Sequence, residues 1–233
     1  VTDDRKLVVL AAGPSFCGKT TALQELFGRR FPRRITFDFQ REVSRKLNPE
    51  AIDVYSFADF MRALRLCARG TRWHIALIYD PEAEPELAEK VCRVLNPAIT
   101  SESHKSFSRA VGGIAIDCSE ADFIFANGRT APAVRGLVQR GRHNKLAVLM
   151  ATHAPALVDT RLRDAADYYL AFRSQEDVVW RFWQRATSGE VADVIASLPD
   201  HHCGYIVKAE QRVYLLDERR RVTRVLDYTG AAA

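Results

Sequence analysis

Gly13-Pro14-Ser15-Phe16-Cys17-Gly18-Lys19-Thr20 satisfies the pattern G-x-x-x-x-G-K-[ST] without a mismatch. Its flanks fit as well. The apolar run Lys6–Ala12 enters it as a buried strand, and Lys19–Phe27 leaves it as a helix closed by Gly28. In that setting Gly13 and Gly18 let the backbone curl until several N–H groups point into one concavity. The helix N-terminus adds its positive end. Lys19 is placed to reach β- and γ-phosphates, and the Thr20 hydroxyl to meet Mg²⁺. The whole stretch Gly13, Pro14, Ser15, Phe16, Cys17, Gly18, Lys19, Thr20 and Thr21 is therefore the expected phosphate cradle.

Strand and helix signals alternate outward from this loop. Arg33–Phe39, Ile52–Tyr55, His74–Tyr79, Gly113–Cys118, Leu146–Thr152 and Tyr168–Phe172 carry strand patterns. Phe57–Ala68, Glu84–Leu95, Ala131–Gln139, Asp159–Ala166 and Ser188–Ser197 carry helical ones, with Asn96–Arg109 as a polar loop. Gly204–Val207 and Arg212–Leu216 suggest a hairpin. Repeated strand–helix–strand units predict an α/β fold with a mostly parallel sheet, helices on both faces and a C-terminal β-hairpin. The expected organisation is one domain over 1–233, with a core at about 6–200 and a strand extension at 201–228.

Composition narrows the classes. The 233 residues are 47% apolar and 27% charged, enough for a packed core. Net charge is +5, and arginine supplies 27 of the 34 basic residues. That excess permits a nucleic-acid partner without demanding one. No uncharged run approaches the roughly 20 residues of a membrane span, and Asp3 and Asp4 spoil the resemblance of Leu7–Ala12 to a signal peptide. Cys17, Cys67, Cys92, Cys118 and Cys203 are odd in number and scattered, which suits reduced thiols.

Hydrolysis at a phosphate loop needs a metal-ordering acid and a group that positions water. Asp117, behind the apolar strand Gly113–Ile116, is the preferred metal acid over Asp80. Glu120 is the candidate activator of water, with Asp122 as its rival. No acid occurs from Phe123 to Val158, a stretch carrying Arg129, Arg135, Arg140, Arg142 and Lys145. These are either a solvated face, a source of an arginine finger, or contacts to nucleic-acid phosphates. His153, after the strand Leu146–Met150, is either a sensor of the γ-phosphate or an ordinary loop histidine.

Taken in order, the phosphate loop, Asp117 with Glu120, Arg140-Gly141-Arg142-His143, Thr152-His153-Ala154-Pro155 and the aromatic strand Tyr168–Phe172 resemble the FtsK/HerA superfamily of DNA-translocating ATPases. The chain is similar in particular to genome-packaging ATPases of tail-less viruses with an internal membrane, and to zonula-occludens-toxin-like assembly ATPases. The resemblance spans about residues 6–200. It implies ATP at Gly13–Thr21, Mg²⁺ at Thr20 and Asp117, an activating Glu120, a sensor at His153 and a trans-acting arginine at Arg140 or Arg142. Two positions depart from the family pattern. Cys118 and Ser119 separate the aspartate from the glutamate, and His153 stands where glutamine is usual. The resemblance further implies a homo-oligomeric, hexameric ring and sequence-independent binding of double-stranded DNA, with Lys105 and Arg109 as weak channel candidates. Capsid or portal-vertex partners and a place in the host cytoplasm or at a capsid vertex complete that expectation. A small P-loop kinase and a non-catalytic nucleotide-dependent assembly protein are the alternatives.

Overall fold

A computed structural model describes residues 7–67, 70–100, 113–126, 128–140 and 146–229, with residues 99, 100 and 140 described by backbone alone. Strands β1 (Leu7–Ala12), β2 (Arg33–Phe37), β3 (Ile52–Val54), β4 (Trp73–Leu77), β5 (Ile114–Cys118), β6 (Leu146–Thr152), β7 (Tyr168–Phe172), β8 (Cys203–Val207), β9 (Arg212–Leu216) and β10 (Val222–Asp227) form one sheet. Their order is β10-β9-β8-β7-β1-β6-β5-β2-β4-β3. From β7 to β3 all neighbours are parallel, whereas β8, β9 and β10 add antiparallel strands beyond β7. The expected parallel α/β sheet is present, and the predicted hairpin is extended by β10. That strand is almost wholly exposed and is held by its ladder to β9 and by the Arg212–Asp227 ion pair.

The helices are α1 (Lys19–Leu26), α2 (Phe57–Cys67), α3 (Leu87–Thr100), α4 (Ala121–Ile124), α5 (Pro132–Arg140), α6 (Thr160–Asp164), α7 (Asp177–Ala186) and α8 (Gly189–Ala196). Period-two alternation distributes them. Val8, Leu10, Ile35, Phe37, Ile116, Val148 and Met150 point to the face where α2 to α8 pack. Val9, Ala11, Ala147, Leu149 and Phe172 point to the other face, where Ala22 and Leu23 of α1 cover them. Among the described residues only α1 is packed on that second face.

Local chemistry sets the helix ends. Ser56 Oγ accepts from the Asp59 N–H at 3.1 Å before α2, and Ser188 Oγ accepts from Val191 at 3.3 Å before α8. The predicted loop from Asn96 is corrected at its start: α3 runs on through Pro97 to Thr100, because proline in the last turn removes only one N–H from the ladder. Lys105 and Arg109 lie outside the described residues. No described helix is long and apolar enough to cross a membrane. The five cysteines are unpaired in this structure.

Candidate nucleotide site

The parallel order puts the C-terminal ends of β1, β5 and β6 side by side, where the chain leaves the sheet for the phosphate loop. Gly13 donates to the Thr152 carbonyl at 3.3 Å. A β-carbon at Gly13 would lie 2.5 Å from Cβ of Phe172, so only glycine allows this approach. Gly18 caps α1 at φ 94°, in the left-handed region. Phe16 stands at the loop tip, 88% exposed, and belongs to no core.

Lys19 is buried. Its Nζ donates to the carbonyls of Gly13 (2.9 Å) and Pro14 (2.6 Å) and to His153 Nδ1 at 3.3 Å. An ammonium can only donate, so His153 accepts at Nδ1 and carries its proton on Nε2. Burial, then the charge of Lys19, push the His153 imidazole below its usual value. The contact therefore exists above pH about 6.5 and is lost as pH falls through the lower folded value, taking its stability contribution with it. An NMR titration of the His153 ring is expected to give a midpoint below that of an unfolded histidine. Lys19→Met is expected to move it up; an unmoved midpoint would remove the coupling.

A cavity of about 550 Å³ opens over the loop. Ser15, Phe16, Gly18, Lys19, Thr20 and Thr21 line it, together with Glu120 and His153. Gly13, Pro14 and Cys17 form the loop beneath; they are not on the cavity wall, and Gly13 and Pro14 act through their carbonyls. Glu120, half-buried at the start of α4, accepts from the Gln40 amide. Burial and the neighbouring Asp122 raise its pKa, and Lys19 opposes them. Asp122 is engaged elsewhere: it accepts from Thr152 Oγ1 at 2.6 Å and is absent from the cavity wall. Glu120 thus faces the cavity, whereas Asp122 ties α4 to β6.

Asp117 lies within β5 rather than beyond its end, and its carboxyl turns to the α1 face. It is fully buried, accepts from Gln24 of α1, one turn after Thr20, and does not line the cavity. Burial pushes it up to about 7, with Arg34 pulling the other way. Its Oδ1 has no hydrogen-bond partner among the described residues. A buried carboxylate oxygen without a donor is a group that suits a hard dication, although here it sits behind Gln24 and not on the cavity wall. Asp80 caps a turn by accepting from Glu82 at 2.9 Å, which leaves Asp117 as the candidate metal acid.

The arginine segment divides. Arg135 pairs with Asp159 at 3.4 Å and is structural. Arg140 closes α5 with its backbone alone described, and Arg142, His143 and Lys145 lie outside the described residues.

Sequence reasoning missed two parts of the wall. Gln40, Glu42 and Lys46 enter from the segment after β2, where Asp38 accepts the N–H groups of Val43 (3.3 Å) and Ser44 (2.8 Å) and fixes a π-helical turn at Val43–Leu47. His201, Glu218, Arg219 and Arg220 enter from the C-terminal strands. Arg220 donates to the His201 carbonyl at 2.8 Å and to Glu25 at 3.3 Å, and lies over the Phe172 ring. The run Arg219-Arg220-Arg221 was the available signal.

Fold and site together define a P-loop ATPase-like protein in which a parallel sheet is extended by antiparallel strands. Within that class the chain resembles the genome packaging NTPase B204 of Sulfolobus turreted icosahedral virus 2, solved with ATP-gammaS: TM-score 0.65, 17% identity, covering 90% of this chain and 96% of that one. It matches B204, the DNA-packaging ATPase of Sulfolobus turreted icosahedral virus, with TM-score 0.65 and 15% identity over 92% and 98% of the two chains. The cytoplasmic domain of the Thermomonospora curvata type VII secretion ATPase EccC matches with TM-score 0.52 and 15% identity, over 97% of this chain and 24% of that one. At these identities the likeness is one of fold. The sequence matches no protein-family model and no curated protein.

Proposed function

We propose that the chain is an ATP-hydrolysing motor that assembles as a homo-oligomeric, hexameric ring and drives double-stranded DNA, packaging a viral genome into a capsid. The observation that carries this reading is that Lys19, Thr20 and Glu120 meet in one cavity, on the fold of the B204 packaging NTPases.

Lys19 leaves the loop carbonyls to hold the β- and γ-phosphates and stabilise charge on the transferred phosphoryl group. Glu120, held by Gln40, orients water and takes its proton, a role suited by its raised pKa. His153 touches Lys19 and so senses whether the ammonium is on the loop or on the phosphate. Thr20 and Asp117 would hold Mg²⁺, which supplies charge neutralisation on the phosphates. Arg140 or Arg142 of a neighbouring subunit would complete the site. DNA contacts fall on phosphates, giving sequence-tolerant and salt-sensitive binding.

The test is ATP turnover with and without double-stranded DNA across protein concentrations. Stimulation by DNA with steep concentration dependence supports the ring motor. DNA-independent transfer of phosphate to a small acceptor would overturn it in favour of a kinase, and nucleotide binding without turnover in favour of an assembly protein. Lys19→Ala is expected to lower turnover by about 10²–10³-fold and to weaken nucleotide binding. Equal turnover in wild type and variant would remove Lys19 from the mechanism.

A further inference from the structure

We infer that a second cavity, on the far side of Leu47 from the first, takes a nucleotide unit and signals its presence to Asp117. Leu47 lines both cavities. The second measures about 520 Å³ and is lined from β2, β4, the segment from Leu47 to Ile52 and the end of α2 at Cys67. On the α1 face β2 and β4 place Arg34, Thr36 and His74, all buried, in place of the aliphatic residues found under α1, and of these Arg34 and His74 line the cavity.

Three guanidinium groups line this cavity, from Arg29, Arg34 and Arg72, against one carboxylate, Glu50. His74 adds no charge. Both its ring nitrogens are engaged, Nε2 with Thr36 Oγ1 at 2.7 Å and Nδ1 with the Asn48 amide, and burial with the nearby Arg34 holds it neutral. Phe31, packed on the α1 face, gives the cavity an aromatic wall, while Trp73 reaches its rim from the strand position whose ring packs with the opposite core. Arginine forks bind phosphate oxygens, and aromatic walls accept base rings, so the pairing suits a phosphate ester joined to a planar ring. A bare inorganic anion would use the arginines and leave the aromatic wall without an occupant.

Arg34 carries the link. It is 94% buried, since its exposure is 6%, yet its Nε has no hydrogen-bond partner among the described residues. Its Nη2 donates to Gln24 Oε1, and Gln24 Nε2 donates to Asp117 Oδ2. The guanidinium of this cavity-lining residue thus has a donor without a partner among the described residues and a relay to the buried acid. A phosphate bound to Arg34 competes with Gln24 for the guanidinium, which frees the Gln24 side chain and changes the donor set on Asp117. Binding stands on the cavity alone; its consequence for turnover rests on the reading of Asp117 as the metal acid.

The experiment uses the full chain with its phosphate loop saturated by AMPPCP. A short fluorescein-labelled oligodeoxynucleotide is titrated by anisotropy, with unlabelled AMP and inorganic phosphate as competitors. Wild type is expected to bind the probe, and the pair Arg29→Glu and Arg72→Glu, both exposed positions, to weaken it at least about tenfold while leaving AMPPCP affinity unchanged. Competition by AMP assigns the site to free nucleotides; its absence, with the arginine effect intact, assigns it to nucleotides within a strand. Equal competition by phosphate and AMP would overturn the role of the aromatic wall. Gln24→Leu is expected to keep probe binding and lose any effect of the oligonucleotide on ATP turnover. Probe affinity unaffected by the double charge reversal would overturn the proposal, as would a change confined to the oligomeric state, which would mark the cavity as a contact between copies.

Discussion

Replacing Arg142 or Arg140 by alanine is expected to leave ATP binding intact and to lower hydrolysis by about 10³–10⁵-fold. The segment that carries them follows α5 and precedes β6, and β6 runs to His153 at the first cavity. A guanidinium delivered from there by a neighbour meets charge that develops only in the transition state, so it affects turnover and spares affinity. Arg135 is the control: its ion pair to Asp159 makes Arg135→Ala a stability change, not a catalytic one. The decisive measurement mixes an arginine variant with Lys19→Ala. A finger acting in trans places an intact arginine against an intact phosphate loop in some interfaces and restores part of the activity. No recovery at any mixing ratio would return these arginines to the solvated surface.

Glu120→Gln is expected to keep nucleotide binding and lower hydrolysis by about 10²–10⁴-fold. Glutamine retains the shape and the contact with Gln40 but cannot accept a proton. Asp122→Asn should behave differently. Asp122 accepts from Thr152 Oγ1, and its charge offsets Lys19 and His153 from outside the cavity wall. An asparagine oxygen can keep that hydrogen bond, so the expected loss of turnover is smaller and accompanied by a change in the His153 titration. If Asp122→Asn proves the more damaging under saturating ATP, the two acids exchange roles. Single-turnover hydrolysis alongside equilibrium binding separates these outcomes.

How much of this was legible follows from the physics of each element. The strands β1, β5, β6 and β7 are buried on both faces and read as apolar runs, so their type and order were visible. The phosphate loop was visible because backbone curvature demands glycine at fixed positions. α7 was missed although Val179, Phe182, Trp183 and Ala186 recur at helical spacing on its packed face; the charged and aromatic residues between them, with Val178 exposed, hid that period. β10 was missed because an exposed edge strand need not alternate at all. In the site, Lys19, Thr20, Glu120 and His153 sit at strand ends or in the loop motif, where position implies role. Arg220, Gln40 and the relay from Arg34 through Gln24 to Asp117 depend on contacts across the sheet, which spacing along the chain does not encode.

The placement of β1 has a consequence for biosynthesis. Its partners β6 and β7 lie more than a hundred residues downstream, with Leu7 opposite Ala147 and Val9 opposite Tyr168. Part of the nucleotide cavity, at Arg219 and Arg220, comes later still. A ribosome-bound chain therefore carries its phosphate motif through more than a hundred further residues of synthesis without the neighbours that shape it. Such high contact order predicts slow, late closure of the sheet, and a nascent chain unable to turn over ATP until the segment at Arg219 and Arg220 has docked.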